Sequence, residues 1–279
     1  MTRFEPQPSF VFFVALWLNP PQMSAEHPRP LHHAEFRFYE ELNDFLPPGR
    51  RKRTFLYEFH GRPAVKDAIE ALGVPHPEVD LILVNGESVG FGHPLGDGDH
   101  VSVYPVFESL DIAGVTRLRP RPLREPRFIL DVHLGRLARH LRLLGFDTRY
   151  ANDAADAAIV AAAARERRIV LTRDRGLLKH SAVTRGYWVR ATTPRAQADE
   201  VVRRFQLEAW LRPFTRCLEC NGVLRPVDKA AIANRLPPRA RRLHDTFAEC
   251  PGCRRLYWPG SHHRRLTEFV KGIQNSVES

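Results

Sequence analysis

Residues 128–150 read FILDVHLGRLARHLRLLGFDTRY, and residues 153–178 read DAADAAIVAAAARERRIVLTRDRGLL. In the first stretch Phe128, Ile129 and Leu130 form a short apolar run of the buried-strand type that stops at Asp131. Leu134, Leu137, Ala138, Leu141 and Leu144 then recur at spacings of three and four, the stripe of an amphipathic helix. Gly145 is suited to close that helix, and residues 146–150 predict a second strand. Eight alanines within 154–165 predict another helix. Residues 169–171 predict a third strand, 176–180 a helix, 187–191 a fourth strand and 194–208 a closing helix. Strands alternating with helices predict a three-layer α/β unit around a parallel sheet.

Upstream the pattern differs. Phe36 and Phe38 alternate with polar residues, Pro47-Pro48-Gly49 is a turn, and Phe55, Tyr57 and Phe59 alternate again. Val65, Ala68, Ile69 and Leu72 lie at helical spacing before Gly73. Residues 81–84 form a short apolar strand before the turn pair Asn85-Gly86, and Val101 and Val103 lie in a last strand. The order β-β-α-β-β predicts an α+β ubiquitin-like β-grasp domain. The run LVNGESV…LGDGDHVSVYP resembles the small sulfur carriers of that fold. Those carriers end in an activated diglycine, whereas this chain continues through Val106-Phe107-Glu108.

The chain has 279 residues, 43% of them hydrophobic, enough for more than one packed core and too many for wholesale disorder. Its net charge of +10 is unevenly placed. Residues 24–113 hold 8 basic and 15 acidic residues, a balance of −7, and residues 114–279 hold 33 and 16, a balance of +17. A basic region of that size suits a polyanion, nucleic acid above all. Arginine richness (37 Arg against 5 Lys) also arises from GC-rich genomes, so placement counts for more than number.

Within the basic region, Asp131 and Asp174 each follow a predicted parallel strand, at the edge where open α/β sheets build their sites. Asp156 lies in the first turn of the alanine-rich helix, with Asp153 just before it. Gathered carboxylates repel one another unless they share protons or bind a cation, and oxygen ligands suit Mg²⁺ or Mn²⁺. Arg136, Arg139, Arg173, Arg175 and Lys179 lie close by in sequence. An acidic pocket with a basic rim is the pattern for metal-dependent phosphodiester cleavage. The competing reading is structural: Asp131 and Asp174 as helix N-caps, Asp156 as a complement to a helix dipole. His133 is either a phosphate contact or a plain helix-surface residue. Gly135 marks either a close ligand or a close helix neighbour.

The motifs D-x-x-L-G-x-L-A-R, L-G-F-D-T and L-T-R-D-R, followed by two C-x-x-C pairs, resemble the Mut-seven C-terminal RNase family over about residues 127–266. The resemblance implies a PIN-like nuclease fold with an appended zinc ribbon, often preceded by a ubiquitin-like domain. It also implies that Asp131, Asp156 and Asp174 are the metal-binding acids. Asp153 competes with Asp156, and Asp199 is a guess for the fourth acid common in PIN nucleases.

Cys217-Leu218-Glu219-Cys220 and Cys250-Pro251-Gly252-Cys253 use every cysteine of the chain. Two such knuckles predict one structural Cys₄ Zn²⁺ site with no open position, against disulfides or free thiols as the alternative. The 29 residues between them exceed the usual ribbon spacing and predict an inserted loop or short helix. The segment's arginines with Tyr257, Trp258, His262 and His263 either grip RNA or, for Tyr257 and Trp258, pack under the knuckle.

The expected organisation is therefore a disordered tail, or a segment preceding a start at Met23, over 1–30. A β-grasp domain follows over 31–110, a Pro/Arg-rich linker over 111–126 and a PIN-like domain over 127–210. A zinc ribbon over 211–270 and a tail over 271–279 complete the chain. The apolar run at 10–18 is too short to span a bilayer, and a cytoplasmic protein is expected. The function expected is a metal-dependent ribonuclease, with RNA as partner and the β-grasp domain recruiting a protein or regulating access. The alternatives are a non-catalytic RNA-binding adaptor on the same scaffold and, more weakly, a sulfur-transfer or conjugation factor, which the missing diglycine opposes.

Overall fold

The computed structural model describes residues 30–105, 117–118 and 126–277. Residues 1–29 of the expected 1–30 tail and nearly all of the 111–126 linker lie outside the described residues.

The first domain runs β1 (Leu31–Phe38), β2 (Phe55–His60), α1 (Val65–Ala71), β3 (Val79–Val84), β4 (Glu87–Ser88) and β5 (His100–Pro105). The sheet order is β2-β1-β5-β3-β4, with β1 and β5 parallel and the other neighbours antiparallel. Alternation along β1 turns Ala34, Phe36 and Phe38 into a core that Val65, Ala68 and Ile69 of α1 close from one side. Asn85 (φ 52°) and Gly86 (φ 86°) both take the left-handed conformation that a tight two-residue hairpin turn needs. This is the β-grasp arrangement that the sequence predicts.

The second domain runs β6 (Arg127–Leu130), α2 (Gly135–Leu143), β7 (Asp147–Arg149), α3 (Asp156–Glu166), β8 (Ile169–Thr172), α4 (Arg175–Leu178), β9 (Gly186–Trp188) and α5 (Pro194–Arg204). Its four strands are all parallel, in the order β7-β6-β8-β9. The period of two along the strands divides the core. Phe128, Leu130 and Leu171 face α2 and α5, while Ile129 and Val170 face α3 and α4. The three-layer expectation holds.

Helix α2 ends in a Schellman motif: Gly145 (φ 100°) donates to Arg142 O at 3.0 Å, and Phe146 N–H to Leu141 O at 2.9 Å. A Cβ on Gly145 would lie 2.2 Å from Arg212 O, so glycine also allows the ribbon strap to pass.

The ribbon contains β10 (Arg225–Val227), α6 (Lys229–Ile232), α7 (Pro238–Leu243), β11 (Phe247–Glu249) and β12 (Leu256–Tyr257). The two short helices and the turn between them fill the surplus between the knuckles and seat Ile232, at the end of α6, and Leu236, in the turn, on Phe247. Helix α8 (Ser261–Val277) then returns to the α/β unit. One expectation is corrected here. Residues 271–277 are not tail but helix, because Val270 and Ile273 (1% exposed) complete the α2–α5 side of the core.

Strand β9 is a sheet edge, and the β-grasp domain covers it. Phe45 packs on Trp188 with ring centres 5.2 Å apart, and the Arg190 guanidinium pairs with Asp44 at 2.7 Å. The Trp188 backbone N–H, an edge-strand donor, is taken up by Glu78 Oε1. Glu78 is 1% exposed, and its other oxygen has no hydrogen-bond partner among the described residues; Arg190 Nη2 stands 3.9 Å away. Burial pushes this carboxyl up to about 7, outweighing the opposing pull of Arg190, the Trp188 N–H and Arg204. The folded state thus favours neutral Glu78. Its contribution is complete below the ordinary value of 4.5 and is lost as pH rises toward 7, a change on the order of 3 kcal/mol. Urea titration at pH 5 and pH 8 is expected to show Glu78→Gln stabilised relative to wild type at the higher pH only. Equal differences at both pH values would refute this.

Candidate active site and metal centre

Strand β6 connects through α2 to β7 on one side, and β8 connects through α4 to β9 on the other. The two central strands therefore diverge at their C-terminal ends, the switch point where doubly wound sheets open a crevice. Asp131 and Asp174 follow those two strand ends.

Asp131 is 3% exposed. Its Oδ1 accepts the His133 N–H at 2.8 Å, and its Oδ2 accepts the Arg173 N–H at 3.1 Å and the Thr172 hydroxyl. Asp174 is exposed; its Oδ1 accepts the Gly176 N–H at 2.7 Å, and its own N–H donates to Thr172 Oγ1 at 2.8 Å. Both acids are N-caps, as their structural reading requires. They are also joined through one buried hydroxyl. Thr172 was not singled out from the sequence; its signal is a hydroxyl residue ending the apolar run Ile169-Val170-Leu171.

Asp156 is the first residue of α3, exposed, at the same edge because α3 starts where β7 ends; Asp153 is exposed in the preceding turn. Asp199 lies on α5, paired with Arg203 at 3.3 Å. Among the described residues, the one group of three or more His, Cys, Asp or Glu ligands lying within 4.8 Å of one another is the cysteine set. The carboxylates share an edge without forming an ion-sized cage. Gly135 has a structural explanation. Tyr150 reaches over it to donate to Val132 O at 3.0 Å, and a Cβ on Gly135 would lie 2.6 Å from the Tyr150 hydroxyl.

The basic residues divide. Arg173 donates to Arg190 O at 3.1 Å and Ala191 O at 2.6 Å, tying down the segment after β9. Arg175 stacks on Trp188 (4.0 Å) and Phe45 (5.1 Å), and Lys179 donates to Glu70 O at 2.9 Å, so both face the β-grasp domain. Arg139 pairs with Glu219 of the first knuckle at 3.1 Å. Arg136 is exposed, with no ion pair among the described residues.

The four cysteines are free thiols, with Cys217 and Cys253 sulfurs 3.5 Å apart and Cys220 and Cys250 sulfurs 3.3 Å apart. The knuckles match each other: Asn221 N–H donates to Cys217 O at 3.0 Å and Arg254 N–H to Cys250 O at 2.8 Å, both residues at positive φ. Gly222 sits where a Cβ would be 2.9 Å from Cys250 Sγ. Burial raises the Cys217 thiol, but the Cys220 N–H, the Tyr257 hydroxyl (3.1 Å) and the Glu219 N–H outweigh it and bring it down to about 6. Four convergent sulfurs, one already favouring thiolate, fit a closed tetrahedral zinc. Tyr257 thereby takes its structural role under the knuckle, and Trp258 packs on Phe247. The His262 side chain lies outside the described residues.

No helix among the described residues is long and apolar enough to cross a membrane. None of the curated proteins matches the chain. Among solved structures, two crystal structures of small archaeal modifier protein 1 from Haloferax volcanii are similar, at 23% and 22% identity. They cover 27% and 28% of this chain and 99% of theirs, each with a TM-score of 0.23. The Mut7-C ubiquitin family model matches residues 31–111, and the Mut7-C RNAse domain model matches residues 126–270, more than half of the chain. The chain belongs to the Mut7-C RNase family, with a ubiquitin-like domain ahead of a nuclease-like domain.

Proposed function

We propose that this protein is a metal-dependent ribonuclease that works at the C-terminal edge of the β7-β6-β8-β9 sheet. The observation that carries this reading is the pair Asp131 and Asp174 at the switch point, held by the shared Thr172 hydroxyl. Asp131, Asp156 and Asp174 are the residues that would hold Mg²⁺ or Mn²⁺, all through oxygen, as such ions require. Such an ion, when bound, makes a water acidic enough to attack a backbone phosphate and offsets charge on the leaving oxygen.

The chain's own residues contribute order. Asp131 is fixed by three donors and cannot swing away, whereas Asp174 leaves Oδ2 free of hydrogen bonds among the described residues. Arg136 is the rim cation available to a phosphate. RNA is the proposed partner, and the β-grasp domain, covering β9 beside Asp174, is proposed to limit access to this edge.

A second reading, a non-catalytic RNA-binding adaptor, draws on the carboxylates forming no ion-sized cluster among the described residues and on the structural engagement of most rim cations. Cleavage of RNA oligonucleotides with Mg²⁺, Mn²⁺ or EDTA separates the two. Asp174→Asn, which can still cap α4, is expected to lose at least about 100-fold in rate without a change in melting temperature. RNA that is bound but never cut, with wild type and Asp174→Asn alike and no Mn²⁺ uptake, leaves the adaptor reading.

A further inference from the structure

A cleft of about 570 Å³ opens between the end of α2, the ribbon sheet and the start of α8. That volume is within the range of small-molecule sites. Its wall is largely apolar and aromatic, with Phe247, Tyr257 and Trp258 on one side and Phe214 stacked on His263 at 4.6 Å on the other. No Asp or Glu lines it, and Arg216 is its charged member. The Arg216 guanidinium is held in place at the cleft wall, donating to Gly145 O at 3.1 Å and Asn221 O at 3.0 Å. The Trp258 indole N–H has no hydrogen bond among the described residues, in contrast to that of Trp188, which donates to Arg173 O.

We infer that this cleft is a base-stacking subsite for single-stranded RNA, and the inference rests on the ribonuclease reading above. Flat aromatic walls, with one arginine and no carboxylate among the lining residues, are the complement of an unpaired base and its phosphate. The cleft is not the reaction edge. Helix α2 starts at the C-terminal edge of the sheet beside Asp131 and ends at the cleft with Leu143, eight residues later. Its axis puts roughly 12 Å between the two places. The subsite would therefore anchor RNA several nucleotides from the bond that is cut. This gives the ribbon a substrate role that its closed metal site cannot supply.

The test measures binding of a labelled single-stranded RNA to the full, zinc-loaded chain by fluorescence anisotropy. Thr246→Glu adds a carboxylate at an exposed lining position and disturbs no packing. Trp258→Ala removes a wall, and Trp258→Phe restores a ring. The first two are expected to weaken binding roughly tenfold, and Trp258→Phe to recover most of it, with zinc content unchanged. RNA short enough to reach only the acidic edge is expected to be insensitive to all three. Wild-type affinity in both Thr246→Glu and Trp258→Ala, in protein that still cleaves RNA, overturns the subsite alone and leaves the cleft to an apolar peptide. Wild-type protein that neither binds nor cleaves RNA overturns the ribonuclease reading together with it.

Discussion

Cys217→Ser is expected to lose the metal and unfold the ribbon while leaving the β-grasp domain folded. Hydrogen exchange would show residues near 215–260 losing protection, and metal analysis would show zinc falling from one per chain to near zero. The expectation is large because the ribbon has little core of its own: Ile232, Leu236 and Phe247 are the buried apolar residues of its cluster. A module of that size depends on its metal, and structural zinc supplies on the order of 10 kcal/mol. Serine offers a poor ligand and leaves three thiols around an incomplete site. Cys217 is also the fully buried sulfur to which Tyr257 and the Cys220 N–H point, so its loss removes an acceptor as well as a ligand. Zinc retained at full occupancy, with unchanged exchange, would disprove the Cys₄ assignment.

Arg142→Met is expected to separate the ribbon from the α/β unit without removing zinc. Arg142 is 4% exposed, and its guanidinium donates to Thr148 O at 2.9 Å, Leu218 O at 3.0 Å and Glu219 O at 2.7 Å. One planar cation thus joins the β7 edge strand to the first knuckle. Asn221 runs parallel to it, accepting the Thr148 N–H at 3.0 Å and donating to Asp147 at 2.7 Å. Methionine fills the space but abandons three carbonyls, a cost on the order of 3 kcal/mol or more. For a unit of this size that lowers the melting temperature by roughly 6–12 °C. Lysine, with its compact ammonium, is expected to recover only part. A melting temperature within about 2 °C of wild type for Arg142→Met would rule out the guanidinium as the main tie.

Much of the fold was legible in the sequence. The period-two and period-3.6 patterns located the strands and helices of both domains, because burial of one face is local to each element. Gly145 and Asn85-Gly86 marked their turns for the same reason, since a left-handed residue is a local need. The extent of α8 was missed. What makes 271–277 helical is the pocket that receives Ile273, and that pocket is formed by α2 and α5, far away in the chain.

The candidate site was legible only as a set of residue types. That carboxylates follow the two central strands, that four cysteines form two knuckles, and that the charge divides into an acidic and a basic part can all be read along the chain. Which partners those groups have depends on the folded arrangement. It gave Arg173, Arg175, Lys179 and Arg139 to carbonyls, aromatic rings and a carboxylate within the chain, and it left Arg136 exposed. It also turned Arg142 and Glu78 inward, where neither is predictable from its neighbours in the sequence. The reason is physical. Periodicity records which face of an element is buried, whereas a hydrogen bond or an ion pair depends on what another element brings within about 3 Å of it.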